Sequence, residues 1–125
     1  MDLNEIMQQE IFAVVGDTLN PEKYAYKIKD SLLAHGYTVF AVGKEYVSLN
    51  DIPCDIDIID LCIHPSKGIS LLKECKKAFK CVLIQPGAES DEIFSYLDEK
   101  KIPYLQGCAL VGLSVYAKNK KNPYG

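Results

Sequence analysis

The residues just after the first apolar segment of the chain are of types that can bind phosphate. Gly16 ends the apolar segment 11–16, Thr18 offers a hydroxyl group, and Lys23 lies where the next helix is expected to begin. A glycine lets a ligand approach the backbone closely, and the free N–H groups at the start of a helix attract anions. Lys44 follows the second apolar segment and adds another positive charge. This spacing predicts a phosphate site for a nucleotide-like ligand.

Two further residues could take part in a reaction. His64 follows an apolar segment and could act as a general base or, when protonated, contact a phosphate. Cys108 could be a nucleophile in thioester chemistry, but no basic residue lies beside it in the sequence, so we expect a structural thiol. The five cysteines lack the spacing of metal ligands, so we expect no metal site. An acyl-transfer enzyme that uses His64 or Cys108 is therefore an alternative rather than the main prediction.

The glycine pattern of dinucleotide-binding enzymes is missing from the first loop. Residues 16–21 read GDTLNP instead of G-x-G-x-x-G. Gly43 and Lys44 stand where an acidic residue would bind a ribose in such enzymes. An NAD(P)-dependent enzyme is a second alternative.

Alternating strands and helices must hold these residues in place. Apolar runs without polar alternation are typical of strands buried on both faces of a parallel sheet. Strand and helix alternate about five times, and one connection lacks a full helix. The pattern predicts an α/β doubly wound, mostly parallel five-stranded sheet with helices on both faces, the first strand central. The predicted strands are 11–16, 37–42, 56–63, 81–85 and 102–105; the predicted helices lie within 1–10 and over 21–36, 66–79 and 89–100, and a polar tail follows at 117–125.

Length and composition exclude several classes of protein. From 125 residues with 48% hydrophobic residues and a net charge of −3, we expect one ordered domain, 1–125, rather than a two-domain enzyme. A pI of about 5.3 gives no general attraction to nucleic acid. No apolar run approaches the ~20 residues of a membrane span, and the acidic start is unlike a secretory signal. Five scattered cysteines without a C-x-x-C pair favour reduced thiols and a cytoplasmic location.

Four segments together resemble a known family. They are VVGDTLNPEKYAYKIKDSLLAHGYTVFAV, IDIIDLCIHP, VLIQPGAESDEI and GCALV, and the resemblance runs from about residue 10 to 113. Its most specific parts are Asn-Pro-x-Lys-Tyr in the first loop and Gln-Pro-Gly-Ala after the fourth strand. These segments resemble the small coenzyme-A-binding domain family, stand-alone Rossmann-like proteins related to the coenzyme-A-binding domain of succinyl-coenzyme A ligase.

The resemblance implies a Rossmann-like fold and a set of ligand contacts. The first loop would line the pyrophosphate, the end of the second strand would border the adenosine, and the ends of the third and fourth strands would form the remaining wall. One departure leaves the adenosine end open: the family has Val-Asn-Pro and a longer loop where this chain has Val-Gly-Lys and a short one. The implied binding residues are Gly16, Asp17, Thr18, Leu19 and Lys23, then Val42, Gly43 and Lys44, then His64 and Pro65, and finally Gln85, Pro86 and Gly87.

The function we predict is binding of coenzyme A or acyl-coenzyme A in the cytoplasm, without catalysis by this chain. Shortness favours a binding protein, because little chain is left to build a separate substrate site. Besides the two enzyme alternatives, a regulatory interaction module with a vestigial nucleotide pocket stays open, and so does a homodimer. The partner we expect is a small nucleotide ligand, with neither nucleic acid nor membrane.

Overall fold

Five parallel strands form the centre of the protein. The computed structural model describes residues 1–117, so the predicted tail lies outside the described residues except for its first residue. Neighbouring strands are parallel throughout, in the order β2-β1-β3-β4-β5. The predicted α/β Rossmann-like sheet is confirmed, although β3 rather than β1 is the central strand. The strands are β1 (Ile11–Gly16), β2 (Thr38–Val42), β3 (Ile58–Cys62), β4 (Cys81–Ile84) and β5 (Tyr104–Gln106).

Helices cover both faces of the sheet because alternate residues of its apolar strands point to opposite sides. One core lies between the sheet and α1, α2 and α5; the other lies between the sheet, α3 and α4. The connection from β2 to β3 contains a 3₁₀ turn, Leu49–Asp51, in place of a full helix, as predicted. The helices are α1 (Leu3–Met7), α2 (Tyr24–Ala34), α3 (Pro65–Glu74), α4 (Asp91–Glu99) and α5 (Ala109–Tyr116).

Two predicted helix boundaries are wrong. The α2 helix begins at Tyr24 rather than Pro21, because the Asn20 side chain accepts the Glu22 backbone N–H within the preceding turn instead of capping the helix. The α3 helix ends at Glu74, five residues early. The Asn50 side chain donates to the Glu74 carbonyl and accepts the Lys76 N–H, each at 2.8 Å, and these bonds replace a further helical turn.

The α5 helix is absent from the sequence prediction and packs against α1 near the start of the chain. A side chain at Gly112 would lie 2.7 Å from the Met7 sulfur, so a larger residue there would require the Met7 side chain to move. The Gln8 side chain also donates to the Tyr116 carbonyl at 3.2 Å. Among the described residues, no helix is long and apolar enough to span a membrane.

Candidate functional site

Three cavities join into one groove along the carboxyl ends of β2, β1, β3 and β4. Their volumes are about 530, 320 and 150 Å³. The first two share Asp17, Lys23 and Ile63, and the last two share Tyr24 and Pro86, together with Cys62. In open α/β sheets, ligands bind at this edge, where the strand order changes direction. Here that point lies between β1 and β3, in the middle of the groove.

One end of the groove is rich in positive charge. Lys23, Lys44 and Lys67 all line the 530 Å³ cavity, together with the single carboxylate of Asp17. Within residues 1–117, none of these three lysine side chains forms an ion pair. Glu45, next to Lys44, is instead paired with Lys29 at 2.7 Å. This end of the groove therefore carries uncompensated positive charge that can bind phosphate groups.

The floor of this cationic end is bare backbone. Gly16 and Gly43 both line it, and a side chain at Gly43 would lie only 2.9 Å from the Gly16 carbonyl oxygen. A side chain at Gly16 would lie 2.3 Å from the carbonyl oxygen of Cys62. The ends of β1, β2 and β3 thus meet without intervening side chains. This agrees with the expectation that glycine in the first loop lets a phosphate approach the backbone closely.

The first loop places its predicted residues in different surroundings. The Asp17 carboxylate accepts the backbone N–H groups of Leu19 and Asn20, both at 3.2 Å, so it shapes the loop. Thr18 is buried and faces a separate cavity of about 230 Å³ beside Lys29, and its hydroxyl has no hydrogen-bond partner among the described residues. Leu19 is 60% exposed and lines none of the three cavities of the groove.

Of the binding residues predicted at the ends of β2 and β3, some line the groove and others do not. Val42 is fully buried in the core and His64 caps α3, whereas Gly43 and Lys44 line the groove. The Ser66 backbone N–H donates to His64 Nδ1, and the Ser66 hydroxyl lies 2.8 Å from the same nitrogen. Pro65 is the first residue of that helix. His64 and Pro65 therefore position α3 and do not line the three cavities.

The α3 helix supplies wall residues that the sequence analysis missed. Ser66, Lys67, Ser70 and Leu71 lie on one side of α3 and line the cationic end. Their i, i+4 spacing is a signal of a common helix face, but it does not show which face meets a ligand.

The opposite end of the groove is narrow and carries no charged lining residue. Gln85, Pro86 and Cys108 line the 150 Å³ cavity together with Tyr24 and Cys62. Gly87 lines the neighbouring 320 Å³ cavity. Among the described residues, no group of three or more histidine, cysteine and acidic side chains could hold a metal ion.

A buried polar network supports this narrow end. The Gln85 amide donates to the Asp60 carboxyl at 2.6 Å, and its oxygen accepts the Ala109 backbone N–H at 3.3 Å. The network joins β3, β4 and the start of α5. The second Asp60 oxygen is buried without a partner among the described residues, and burial raises the pKa of Asp60 to about 7 despite the hydrogen bond from Gln85.

Replacing Asp60 by asparagine should remove a pH dependence of stability. The folded protein holds the Asp60 proton more tightly than the unfolded chain, where the pKa is about 3.9. The wild-type side chain therefore contributes most favourably below pH ~4, and this contribution is lost as the pH rises towards about 7. The free energy of unfolding of Asp60→Asn, taken relative to wild type, should therefore rise by on the order of 2–4 kcal/mol from pH 4 to pH 8. Urea unfolding at both pH values measures the change.

The exposed Asp55 provides the matched control, since Asp55→Asn removes a carboxylate only five residues away. Its stability difference from wild type should not vary over the same range. A flat difference for Asp60→Asn as well would show that the pKa of Asp60 is the same in the folded and unfolded protein, so that burial does not raise it.

A family model decides the relationship of this chain to known proteins. The model of the CoA binding domain matches residues 10–114, which include every residue that lines the groove. The chain belongs to the CoA binding domain family. The resemblance seen in the four sequence segments is thereby confirmed. No curated protein matches this CoA binding domain.

Solved structures similar to this CoA binding domain share its fold. A conserved hypothetical protein from Pyrococcus furiosus is 33% identical, with a TM-score of 0.77 over 82% of this chain and 98% of its own. A hypothetical protein from Pyrococcus horikoshii is 27% identical, with a TM-score of 0.79 over 90% of this chain and 88% of its own. A protein redesigned for binding is 26% identical, with a TM-score of 0.81 over 92% of this chain and 89% of its own.

The residues of the groove fit coenzyme A in their chemistry. Coenzyme A has phosphate groups at its nucleotide end and an uncharged chain with a thiol at the other. The ammonium groups of Lys23, Lys44 and Lys67 are suited to the phosphates. The uncharged lining at the Cys108 end is suited to the uncharged chain of coenzyme A and its thiol. Family membership and donor chemistry therefore agree.

Proposed function

We propose that this protein binds coenzyme A or acyl-coenzyme A in the cytoplasm and does not itself catalyse a reaction. The observation that carries the proposal is the polarity of the groove. In the described part of the chain, three lysines without an ion-pair partner line one end, and no charged residue lines the other. A ligand with a polyanionic head and an uncharged tail is complementary to such a groove in one orientation only.

The orientation follows from the positions of the charges. The phosphates would lie against the Gly16 backbone and the three lysines, and the uncharged chain would run past Ile63 and Pro86 towards Cys108. Asp17 lines both the cationic cavity and the middle cavity, but its carboxylate accepts two loop N–H groups. Its negative charge is therefore partly neutralised by the loop itself.

The absence of catalysis is proposed because neither Cys62 in the groove nor His64 beside it is activated for a reaction. Burial, together with the nearby Asp60 and Cys108, raises the pKa of the Cys62 thiol to about 12. A neutral thiol is a poor nucleophile. Nδ1 of His64 accepts hydrogen bonds from its own helix start, which is the role of a cap.

Titration calorimetry and thermal unfolding with coenzyme A test the function. Coenzyme A should bind in a one-to-one ratio, and a hundredfold excess over the dissociation constant should stabilise the protein by about 2.7 kcal/mol. Dephospho-coenzyme A should bind more weakly, because it lacks one phosphate for the three lysines.

Parallel titrations with NAD and NADP distinguish the main alternative. Binding of either dinucleotide without binding of coenzyme A would favour the enzyme hypothesis. Absence of any stabilisation by saturating coenzyme A would overturn the proposed function.

A further inference from the structure

We propose that the narrow end of the groove is an acyl subsite that takes a short, uncharged acyl group attached to coenzyme A. This inference rests on the proposed function and adds the chemical class of the ligand. The subsite is the 150 Å³ cavity, which opens into the middle of the groove through the shared residues Tyr24, Cys62 and Pro86.

The size of the subsite limits the acyl chain. A cavity of about 150 Å³ with an apolar lining can hold a benzene-sized molecule, which has about six heavy atoms. This cavity is also the most enclosed of the three, and its lining includes the buried Gln85. Acetyl to butyryl groups fit such a space, and a long fatty chain does not.

The inner wall of the subsite is rigid. Both polar groups of the Gln85 side chain are already engaged, one by Asp60 and one by the Ala109 backbone. The side chain is 4% exposed and is held between β3 and the start of α5. It cannot turn to bind a new polar group without breaking a buried hydrogen bond.

The charge around the subsite favours uncharged acyl groups. None of its five lining residues is charged, so within residues 1–117 no lining cation is present to pair with a carboxylated acyl group such as succinyl. The fully buried Asp60 carboxyl lies directly behind Gln85 and adds no positive charge to the subsite. The two thiols, Cys62 and Cys108, serve as small apolar wall residues.

Calorimetry with a series of acyl-coenzyme A ligands tests the subsite. Butyryl-coenzyme A should bind about tenfold more tightly than free coenzyme A, because its three terminal carbons leave water. Succinyl-coenzyme A should bind no more tightly than free coenzyme A. Palmitoyl-coenzyme A should show no further gain over butyryl-coenzyme A at concentrations below micelle formation.

Two variants place the effect at this cavity. Cys108→Phe fills the subsite and should abolish the tenfold preference for butyryl-coenzyme A. Val111→Phe adds the same ring on the half-exposed side of α5 and is the matched control, so it should keep the preference. If Cys108→Phe does not fold, Tyr24→Ala replaces it. Tyr24 is 64% exposed, and its loss opens the subsite to water, which should also reduce the preference.

The outcomes separate this inference from the proposed function. Binding of coenzyme A with equal affinity for all acyl forms would overturn the acyl subsite and leave the proposed function standing. Tighter binding of succinyl-coenzyme A than of butyryl-coenzyme A would do the same. If no form of coenzyme A binds, both proposals fail.

Discussion

Replacing Gly16 by alanine is expected to lower the free energy of unfolding by at least about 3 kcal/mol, because the new methyl group has no space. It would lie 2.3 Å from the Cys62 carbonyl oxygen and 2.8 Å from the Ala25 side chain. The first of these is backbone of the central strand and cannot move aside independently. Urea or thermal unfolding measures the loss, which corresponds to a fall in melting temperature of roughly 10 °C.

Gly87→Ala is the control for the backbone penalty of replacing a glycine where the new side chain meets no other atom. Gly87 has a φ of +95°, but an added side chain would have no atom within 4 Å. Only the backbone penalty applies there, and it is about 1–2 kcal/mol. A loss at Gly16 no greater than the loss at Gly87 would show that the ends of β1 and β3 can separate.

Removing the three lysines of the groove is expected to weaken coenzyme A binding by a hundredfold or more, at roughly tenfold for each lysine. The variants are Lys23→Met, Lys44→Met and Lys67→Met, since methionine keeps most of the apolar stem and removes the charge.

Because screening weakens charge attraction, the affinity of the wild-type protein for coenzyme A should fall as salt is added. The triple variant should show a much smaller dependence on salt in the same titrations.

Lys100→Met is the matched control for loss of charge. Lys100 caps the end of α4 just before β5, and so lies near the amino ends of the strands, opposite the groove. Its replacement should leave the affinity within about twofold of wild type, since the charge is lost more than a Debye length from the ligand. Equal weakening by Lys100→Met and Lys44→Met would mean that only the net charge of the protein matters.

The fold could be predicted largely from periodicity. Continuous apolar runs such as 81–84 identified strands buried on both faces, and the intervening helical spacing indicated parallel connections. The end of α3 could not be predicted, because it depends on hydrogen bonds from Asn50, which lies 24 residues earlier. The α5 helix was missed because its residues are apolar almost throughout, so no amphipathic period distinguishes it.

The candidate site could be predicted only in part, since residues next to each other in sequence can face different cavities. Gly16, Lys23 and Lys44 reach the groove as the strand ends indicated, whereas Thr18 turns away from it into another cavity. The contact between Asp60 and Gln85 joins residues 25 apart and leaves no local pattern. Binding by the individual predicted residues stays a prediction until a ligand is titrated.

The docking of α1 on α5 has a consequence for the protein during its synthesis. Ile6 and Met7 leave the ribosome more than 100 residues before Gly112 and Leu113, which cover them in the folded protein. At elongation rates of about 5–20 residues per second, these side chains are without their final cover for several seconds. Cys108 is also made late, so the nascent chain completes the narrow end of its groove only as the last described helix emerges.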